Sequence, residues 1–384
     1  MRLQSIHIYQ LRIPLRASFH HALHSREESD AVVVKVTDEQ GRAGYGEGLP
    51  RPYVTGEDVE SMAARLQTAL APAVLASDLK AGPEVFEFLR ANFDDWTAVK
   101  TTDKGITAWN AAFCAIELAL IDWSLRATNR SLADVLIPTR KEVVYSGVVS
   151  ADDPASAAAT AKRFVEHGIN QLKIKVGTSE DIARVAAVRK AVGASVELRA
   201  DANAAWTAEE AVERLDALRP FALSCIEQPV AADDIAGMRR VRERTGIRVM
   251  ADESLVTRSQ AWRLIELKAC DLFNIRVSKC GGISGSLDIA ELARRAGIGI
   301  QVGAQVGETA IITAAGRHLA AHLPEIVYAE GSFGTLLLSE DISVEDLAFG
   351  YRGVAPILSQ PGLGITVREE ALERFAVRKI EVQQ

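Results

Sequence analysis

Apolar and polar residues alternate through MRLQSIHIYQLRIPLR and again over 31–37, the two-residue period of strands that bury one face. DEQGRAGYGEG supplies a hairpin turn after the second run. The spacing then becomes helical over 57–70, 84–92 and 108–128. The first part of the chain therefore reads as a small α+β unit, assigned to residues 1–125.

From Glu142 the rhythm changes. A short β-branched run is followed by an Ala/Glu/Arg-rich helix, and the pair recurs. Eight such runs are VVYSGVV, QLKIKV, VELRAD, LSCIEQ, IRVMAD, LFNIRV, IGIQVG and IVYAEG. Charged residues close several of them at nearly constant spacing: Lys175, Asp201, Glu227, Asp252 and Arg276, with Glu330 two units further on. A repeat of roughly 25 residues that alternates strand with helix predicts an α/β fold closed as a βα barrel, here over residues 126–354. An open doubly wound sheet is the competing arrangement, but no glycine-rich dinucleotide turn follows the first strand. GYGEG at 44–48 has part of that spacing and precedes no helix. Residues 355–384 fall outside the rhythm and are expected to pack back on the N-terminal unit.

In a barrel strand, side chains two apart share a face, so Lys173 and Lys175 of KIKVG both point into the mouth. Their mutual repulsion and partial burial are expected to lower the pKa of at least one, making it a base near neutrality. Taken alone, the pair could equally be surface lysines. One to three units later, Asp201, Glu227 and Asp252 close adjacent strands, where three carboxylates would repel unless a positive charge lies between them. Three separate ion pairs would be one solution. A hard divalent cation with oxygen ligands, Mg²⁺ or else Mn²⁺, also explains their common phase. Asn203 and Glu253 are placed to orient those ligands.

Composition narrows the partner. The chain of 384 residues is 48% hydrophobic and 25% charged, as ordinary globular domains are. A net charge of −7 without a basic block argues against nucleic acid or an anionic membrane surface and favours a small molecule. Cys114, Cys225, Cys270 and Cys280 have no CxxC spacing and read as buried free thiols of a reducing compartment. With neither a signal-peptide pattern nor an 18-residue apolar run, a cytoplasmic location is expected.

The succession KIKVG, RADAN, IEQP, ADES and NIRVSKCGG resembles the enolase superfamily, and within it the muconate-lactonizing (muconate cycloisomerase) subgroup. The likeness extends to GYGEGLPRPYVTGE, which is similar to the loop that caps the active site in that family. It implies a capping domain built from both chain ends, a (β/α)7β TIM-like barrel, Mg²⁺ at Asp201, Glu227 and Asp252, and abstraction of a proton next to a carboxylate. Removing such a proton places a second negative charge on the substrate's carboxylate, which a cation stabilises more than it does the ground state. Lys175 is the expected base and Lys173 adds positive charge.

One position departs from the family. A second catalytic lysine is expected at the inward end of the sixth strand, where this chain has Arg276. A guanidinium stays protonated and is a poor base. Lys279, three residues on, is expected to pair near the carboxylates or the turn. The substitution favours one-base chemistry, a cycloisomerase or a dehydratase-like lyase acting on a small carboxylic acid. The alternatives are an amino-acid racemase or dipeptide epimerase, and a barrel that binds without catalysis. Paired aspartates expected for dipeptide binding at the eighth strand are missing from AEGSFG.

Substrate contacts are expected from the capping loops: His20, His21 and His24 between the flanking arginines of RASFHHALHSR, and Arg51 and Tyr53 in LPRPYVTGE, groups that could hold a second carboxylate or a polar tail or could instead be solvated. Glu330 is a candidate proton donor or partner for a substrate cation. Gln305 is a further candidate contact, while Glu308 is expected to cap a helix. Phe19, Trp206 and Phe333 are candidate apolar lining. GGISGS is read as a packing turn rather than an anion site. Family habit and an apolar barrel exterior imply a homo-oligomer, dimer or octamer.

Overall fold

Leu3–Leu11 buries most of its length and pairs antiparallel with Val32–Asp38 on one side and with Ala376–Gln383 on the other. Ala43–Gly48 completes a four-stranded sheet, so the end of the chain returns to its beginning. In this computed structural model residues 2–21, 24–102, 105–150 and 153–383 are described. The helix Asn110–Ala127 lies across the sheet and is buried on almost every side.

The glycines of GYGEG explain that close contact. A Cβ at Gly44, Gly46 or Gly48 would fall 2.2 Å from the Trp123 nitrogen, 2.0 Å from the Ala115 oxygen and 2.2 Å from the Ala111 oxygen respectively. The motif lets helix and strand backbones touch, and it cradles a helix rather than a phosphate.

Eight parallel strands follow in sequential order: Gly147–Val149, Gln171–Lys175, Glu197–Asp201, Leu223–Glu227, Arg248–Ala251, Leu272–Arg276, Gly299–Gly303 and Ile326–Ala329. A hydrogen bond from the Ser146 amide to the Ala329 carbonyl, 2.9 Å, joins the first strand's approach to the last and closes the ring. A helix connects each consecutive pair, and the eighth strand is followed by 3-10 turns, which is the (β/α)7β arrangement. Several of these helices begin on side-chain caps, with Asp153, Thr207, Asp234, Thr257 and Thr309 accepting amide hydrogens.

Element boundaries differ from the sequence pattern for physical reasons. VVYSGVV is two strands: Glu142–Val144 leaves the barrel to pair with Val354–Pro356, and only Gly147–Val149 joins the ring. The helix expected at 57–70 is Val59–Arg65, passing through a π turn at Leu66–Leu70 into Ala71–Ala76. Pro72 has no amide hydrogen for the carbonyl one turn earlier, and the wider turn absorbs the mismatch. The helix expected at 84–92 runs to Trp96, because Phe93 and Trp96 pack edge-on against Phe113, with ring centres 5.0 and 6.2 Å away.

Two buried glutamates fasten cap to barrel. Glu47, on the cap sheet, accepts from the Thr309 amide (2.9 Å), the Thr309 hydroxyl (2.6 Å) and the Ile312 amide (3.1 Å) at the start of helix Ala310–His322. Glu117, on the cap helix, accepts from the amides of Ile283 (2.6 Å) and Ser284 (2.9 Å) at the start of Gly282–Ala296. GGISGS is therefore an anion-binding turn after all, with Glu117 as its anion, which corrects the reading as packing alone. All four cysteines are buried and unpaired. Among the described residues no helix is long and apolar enough to cross a membrane.

Candidate active site

The C-terminal ends of the barrel strands gather the charged residues. Lys175 stands beside Asp201 in the strand register, and Asp201 beside Glu227. Asp252 follows the fifth strand, Arg276 ends the sixth, and Glu330 follows the eighth. The Lys173 ammonium lies 3.3 Å from Asp201, 3.1 Å from Glu227 and 2.5 Å from Glu330. The Lys175 ammonium donates to Asp201 (2.6 Å) and to the Asn203 side-chain carbonyl (2.8 Å). Arg276 pairs closely with Asp252 and lies 3.5 Å from Glu227.

Lys279 is fully buried and donates to the Asp252 carboxylate (2.7 Å), the Asp252 carbonyl (2.8 Å) and the Asn274 carbonyl (2.7 Å). Of the two surroundings the sequence left open for it, the carboxylates and the turn, it pairs with a carboxylate. The Asn203 amide group donates to Glu253 at 3.1 Å.

A second polar layer, one inward step deeper, escaped the sequence reading. Arg199 donates to Gln301 (2.5 Å) and Glu330 (2.6 Å), and its guanidinium lies 3.9 Å from the centre of the Tyr328 ring. Asn274 donates to Glu227 at 2.8 Å. Arg199 and Asn274 each precede a strand-end residue by two, so the period that places Asp201 and Arg276 inside also places them inside.

These contacts set the protonation states. Burial disfavours the Lys173 ammonium, but Glu227, Glu330 and Asp201 outweigh it and hold its pKa above the ordinary lysine value. For Lys173 the expected lowering is therefore reversed, because opposite charges crowd it more closely than the other lysine does. Burial likewise opposes ionisation of Asp252, yet Arg276 and Lys279 keep its pKa below the usual carboxylate range. Asp201 is held low against burial by Lys175 and Lys173, and Glu330 by Lys173 and Arg199. Glu227 rises to about 7 through burial and the neighbouring Asp201 charge, and Glu253 to about 7 through burial and Asp252. Burial is opposed at Arg276 by Asp252 and Glu227, which keep the guanidinium protonated.

Above the charged layer lies a partly open cleft with about 1070 Å³ of space, counted out to its mouth. Lys173, Lys175, Asn203, Glu253, Arg276 and Glu330 form its floor. Arg51, Tyr53 and Gln305 line it, as does Arg26, one of the arginines that flank the three histidines. Phe333, Leu336 and Leu337 supply an apolar wall, whereas the buried Trp206 does not face the cleft. The side chains of Phe19, His20, His21 and His24 lie outside the described residues.

Arg51 is nearly inaccessible and joins cap to barrel, donating to Asp30 (2.8 Å) and to the Val306 carbonyl (2.8 Å). Glu308 accepts from the Gln305 amide at 2.6 Å and does not cap the following helix. Thr309 and Glu47 do that instead.

The acids are not scattered, but neither do they converge. Nitrogens of Lys173 and Arg276 lie between Asp201, Glu227 and Asp252, and among the described residues no three His, Cys, Asp or Glu side chains close on one point. The three nonetheless offer only hard oxygen donors from adjacent strand ends, which suits Mg²⁺. The buried Glu253 Oε2, which has no hydrogen-bond partner among the described residues, adds a further oxygen with unused capacity beside them.

Comparison with known proteins agrees with this geometry. The profile of the mandelate racemase / muconate lactonizing enzyme N-terminal domain matches residues 4–136, and that of the enolase C-terminal domain-like family matches 156–371. The chain is 32% identical over 384 residues to the N-succinyl-L-Arg/Lys racemase of Bacillus cereus, covering 98% of each. It is 28% identical to a chloromuconate cycloisomerase of Cupriavidus necator, covering 98% of this chain and 99% of that one. A solved structure of a dipeptide epimerase from Cytophaga hutchinsonii, complexed with Mg and the dipeptide D-Ala-L-Val, superposes with a TM-score of 0.87 at 27% identity, each chain covered in full.

Proposed function

The chain belongs to the enolase superfamily, and from that premise we propose that it is a racemase or epimerase removing the proton next to the carboxylate of an N-acylated amino acid or dipeptide. The names of its relatives favour this over the cycloisomerase reading. The observation that carries it is Lys175, an amine on the cleft floor held by Asp201 and Asn203 beside a cluster of carboxylates. Lys175 takes the proton at Nζ, and Asn203 and Asp201 fix the direction of approach. Lys173 stays protonated and adds a fixed positive charge. Mg²⁺, which Asp201, Glu227 and Asp252 would hold, supplies Lewis-acid stabilisation of the charge that builds on the substrate's carboxylate. Phe333 and Leu337 give the cleft an apolar wall beside its charged floor.

Arg276 favours a second reading. Inversion needs a proton delivered to the opposite face of the carbon, and a guanidinium tied to Asp252 does not exchange protons as an amine does. One-base elimination or cycloisomerisation uses Lys175 alone.

Both readings are tested by following α-proton exchange in D₂O by NMR, with Mg²⁺ and a panel of N-acyl amino acids and dipeptides of each configuration. Exchange with interconversion of configuration supports the racemase or epimerase. Exchange or product formation without inversion supports one-base chemistry. Lys175→Ala is expected to lower the rate by about 10³-fold or more. Persistence of exchange in that variant removes Lys175 from its role, and absence of exchange across the panel rejects proton abstraction in favour of a barrel that only binds.

A further inference from the structure

The turn after the sixth strand is held by the cap as well as by the barrel. Asn110, the first residue of the cap helix Asn110–Ala127, is buried against the barrel. Its side-chain nitrogen donates to two barrel carbonyls, Val256 at 2.8 Å and Lys279 at 2.7 Å. Two acceptors at that distance require the nitrogen of the carboxamide, with its two hydrogens, to face the barrel. Leu49, also in the cap, donates its amide to the Ser278 hydroxyl at 2.9 Å, so the adjacent residues Ser278 and Lys279 are both tied to the cap.

The two carbonyls that Asn110 joins bracket a carboxylate. Val256 ends the segment Asp252–Val256 that follows the fifth strand, and Lys279 lies in the turn after the sixth. The Lys279 ammonium spends its three hydrogens on the Asp252 carboxylate, the Asp252 carbonyl and the Asn274 carbonyl, so it acts as a strut. It meets Asp252 at Oδ1, while Arg276 meets Oδ2. A closed ring of contacts results: Asn110 joins Val256 to the Lys279 main chain, and the Lys279 side chain joins that turn back to Asp252. A lysine stem has several rotatable bonds, and it directs a carboxylate only where its own main chain is held. Asn110 holds it from the cap.

We propose that Asn110 is a positioning residue for the cation site: it fixes the Lys279 main chain and, through Lys279, the orientation of Asp252. The inference rests on the reading of Asp252 as a Mg²⁺ ligand. It goes beyond that reading by making the affinity of the site depend on a cap residue that does not line the cleft. Contacts that orient a metal ligand without touching the metal are worth about 10- to 100-fold in affinity.

Calorimetric titration of the full-length protein with MgCl₂, without substrate, tests the proposal. Asn110→Ala is expected to weaken Mg²⁺ binding about ten-fold or more. Asn110→Leu, similar in volume but without a donor, is expected to weaken it as much, and it serves in place of the alanine variant should that one fail to fold. The effect is expected to vanish, to within about two-fold, when Asn110→Ala is made in Lys279→Met, because residues acting along one path are not additive. Thr309→Ala cuts a different tie between cap and barrel, and is expected to lose stability while keeping its Mg²⁺ affinity within about two-fold. Unchanged affinity in either Asn110 variant, an equal loss in Thr309→Ala, or a loss undiminished in the Lys279→Met background overturns the inference and leaves the Mg²⁺ reading standing. No Mg²⁺ binding by the parent protein rejects that reading, and the inference with it.

Discussion

Buried carboxylates occur in two regions of this molecule and are stabilised differently. At the barrel mouth, Asp201, Asp252 and Glu330 each touch at least two cationic side chains, which hold them ionised against burial. At the seam between cap and barrel, Glu47 and Glu117 accept hydrogen bonds from a helix N-terminus and touch no cation among the described residues, and burial raises both to about 7. Amide dipoles at a helix end are worth a fraction of a full charge. They satisfy the lone pairs of a carboxylate without fully offsetting its loss of water. Glu227 departs from this pattern: Lys173 and Arg276 lie 3.1 and 3.5 Å from it, yet burial and the neighbouring Asp201 charge outweigh them and it rises to about 7.

The largest effect is expected where compensation is most concentrated. Lys173→Met removes one ammonium from three buried acids at once. Unpairing buried charge in this way costs about 3–5 kcal/mol. Chemical denaturation in EDTA at pH 7 reads the loss, which should shrink toward pH 4.5 as the orphaned acids take up protons. A loss below about 1 kcal/mol at pH 7 would mean that Lys175, Arg199 and Arg276 already suffice.

The seam is expected to respond to pH with the opposite sign. Glu117 has a folded pKa of about 7 against an ordinary 4.5. The folded chain therefore holds a proton that the unfolded chain has released, and stability falls as pH rises from about 4.5 to about 7, then levels. Asp201, Asp252 and Glu330 have depressed values, so their contribution is present above the ordinary carboxylate range and is lost as pH falls through their folded values. Glu117→Gln isolates the first slope. Its stability relative to the parent should rise across the 4.5–7 window by up to about 3 kcal/mol. A flat difference would show that the helix amides keep Glu117 ionised throughout.

The same contrast explains what was legible in the sequence. The barrel mouth repeats once per βα unit, so Asp201, Glu227, Asp252 and Arg276 announce themselves by spacing and by strand phase. Arg199 and Asn274 obey that phase and were within reach, had inward positions one step deeper been read as a second layer. The seam has no period. Glu47 meets Thr309 and Glu117 meets Ile283 only because the cap folds over the barrel, contacts separated by 262 and 166 residues. Arg26 is legible in the sequence only as an arginine flanking the histidines, and that it shares Asp30 with Arg51 depends on how the cap folds. The helix ends at 96 and the π turn at 66–70 depended on tertiary packing and on one proline, and single-segment periodicity senses neither well.

The smallest of these effects reaches deepest into the comparison. Thr309 does two things at once: its hydroxyl donates to Glu47 at 2.6 Å and accepts from the Ile311 amide at 3.3 Å. Thr309→Ala removes both the helix cap and one of the three donors around Glu47, at a cost of about 1 kcal/mol near pH 5. The hydroxyl favours the ionised carboxylate, so its loss pushes the Glu47 pKa further up and extends the falling limb of stability above pH 7. The variant should therefore be modestly destabilised in acid and progressively more so toward pH 8, as read by denaturation midpoints across that range. A penalty independent of pH would mean that Thr309 serves only the helix, and that the Glu47 charge at the seam is set by the backbone amides alone.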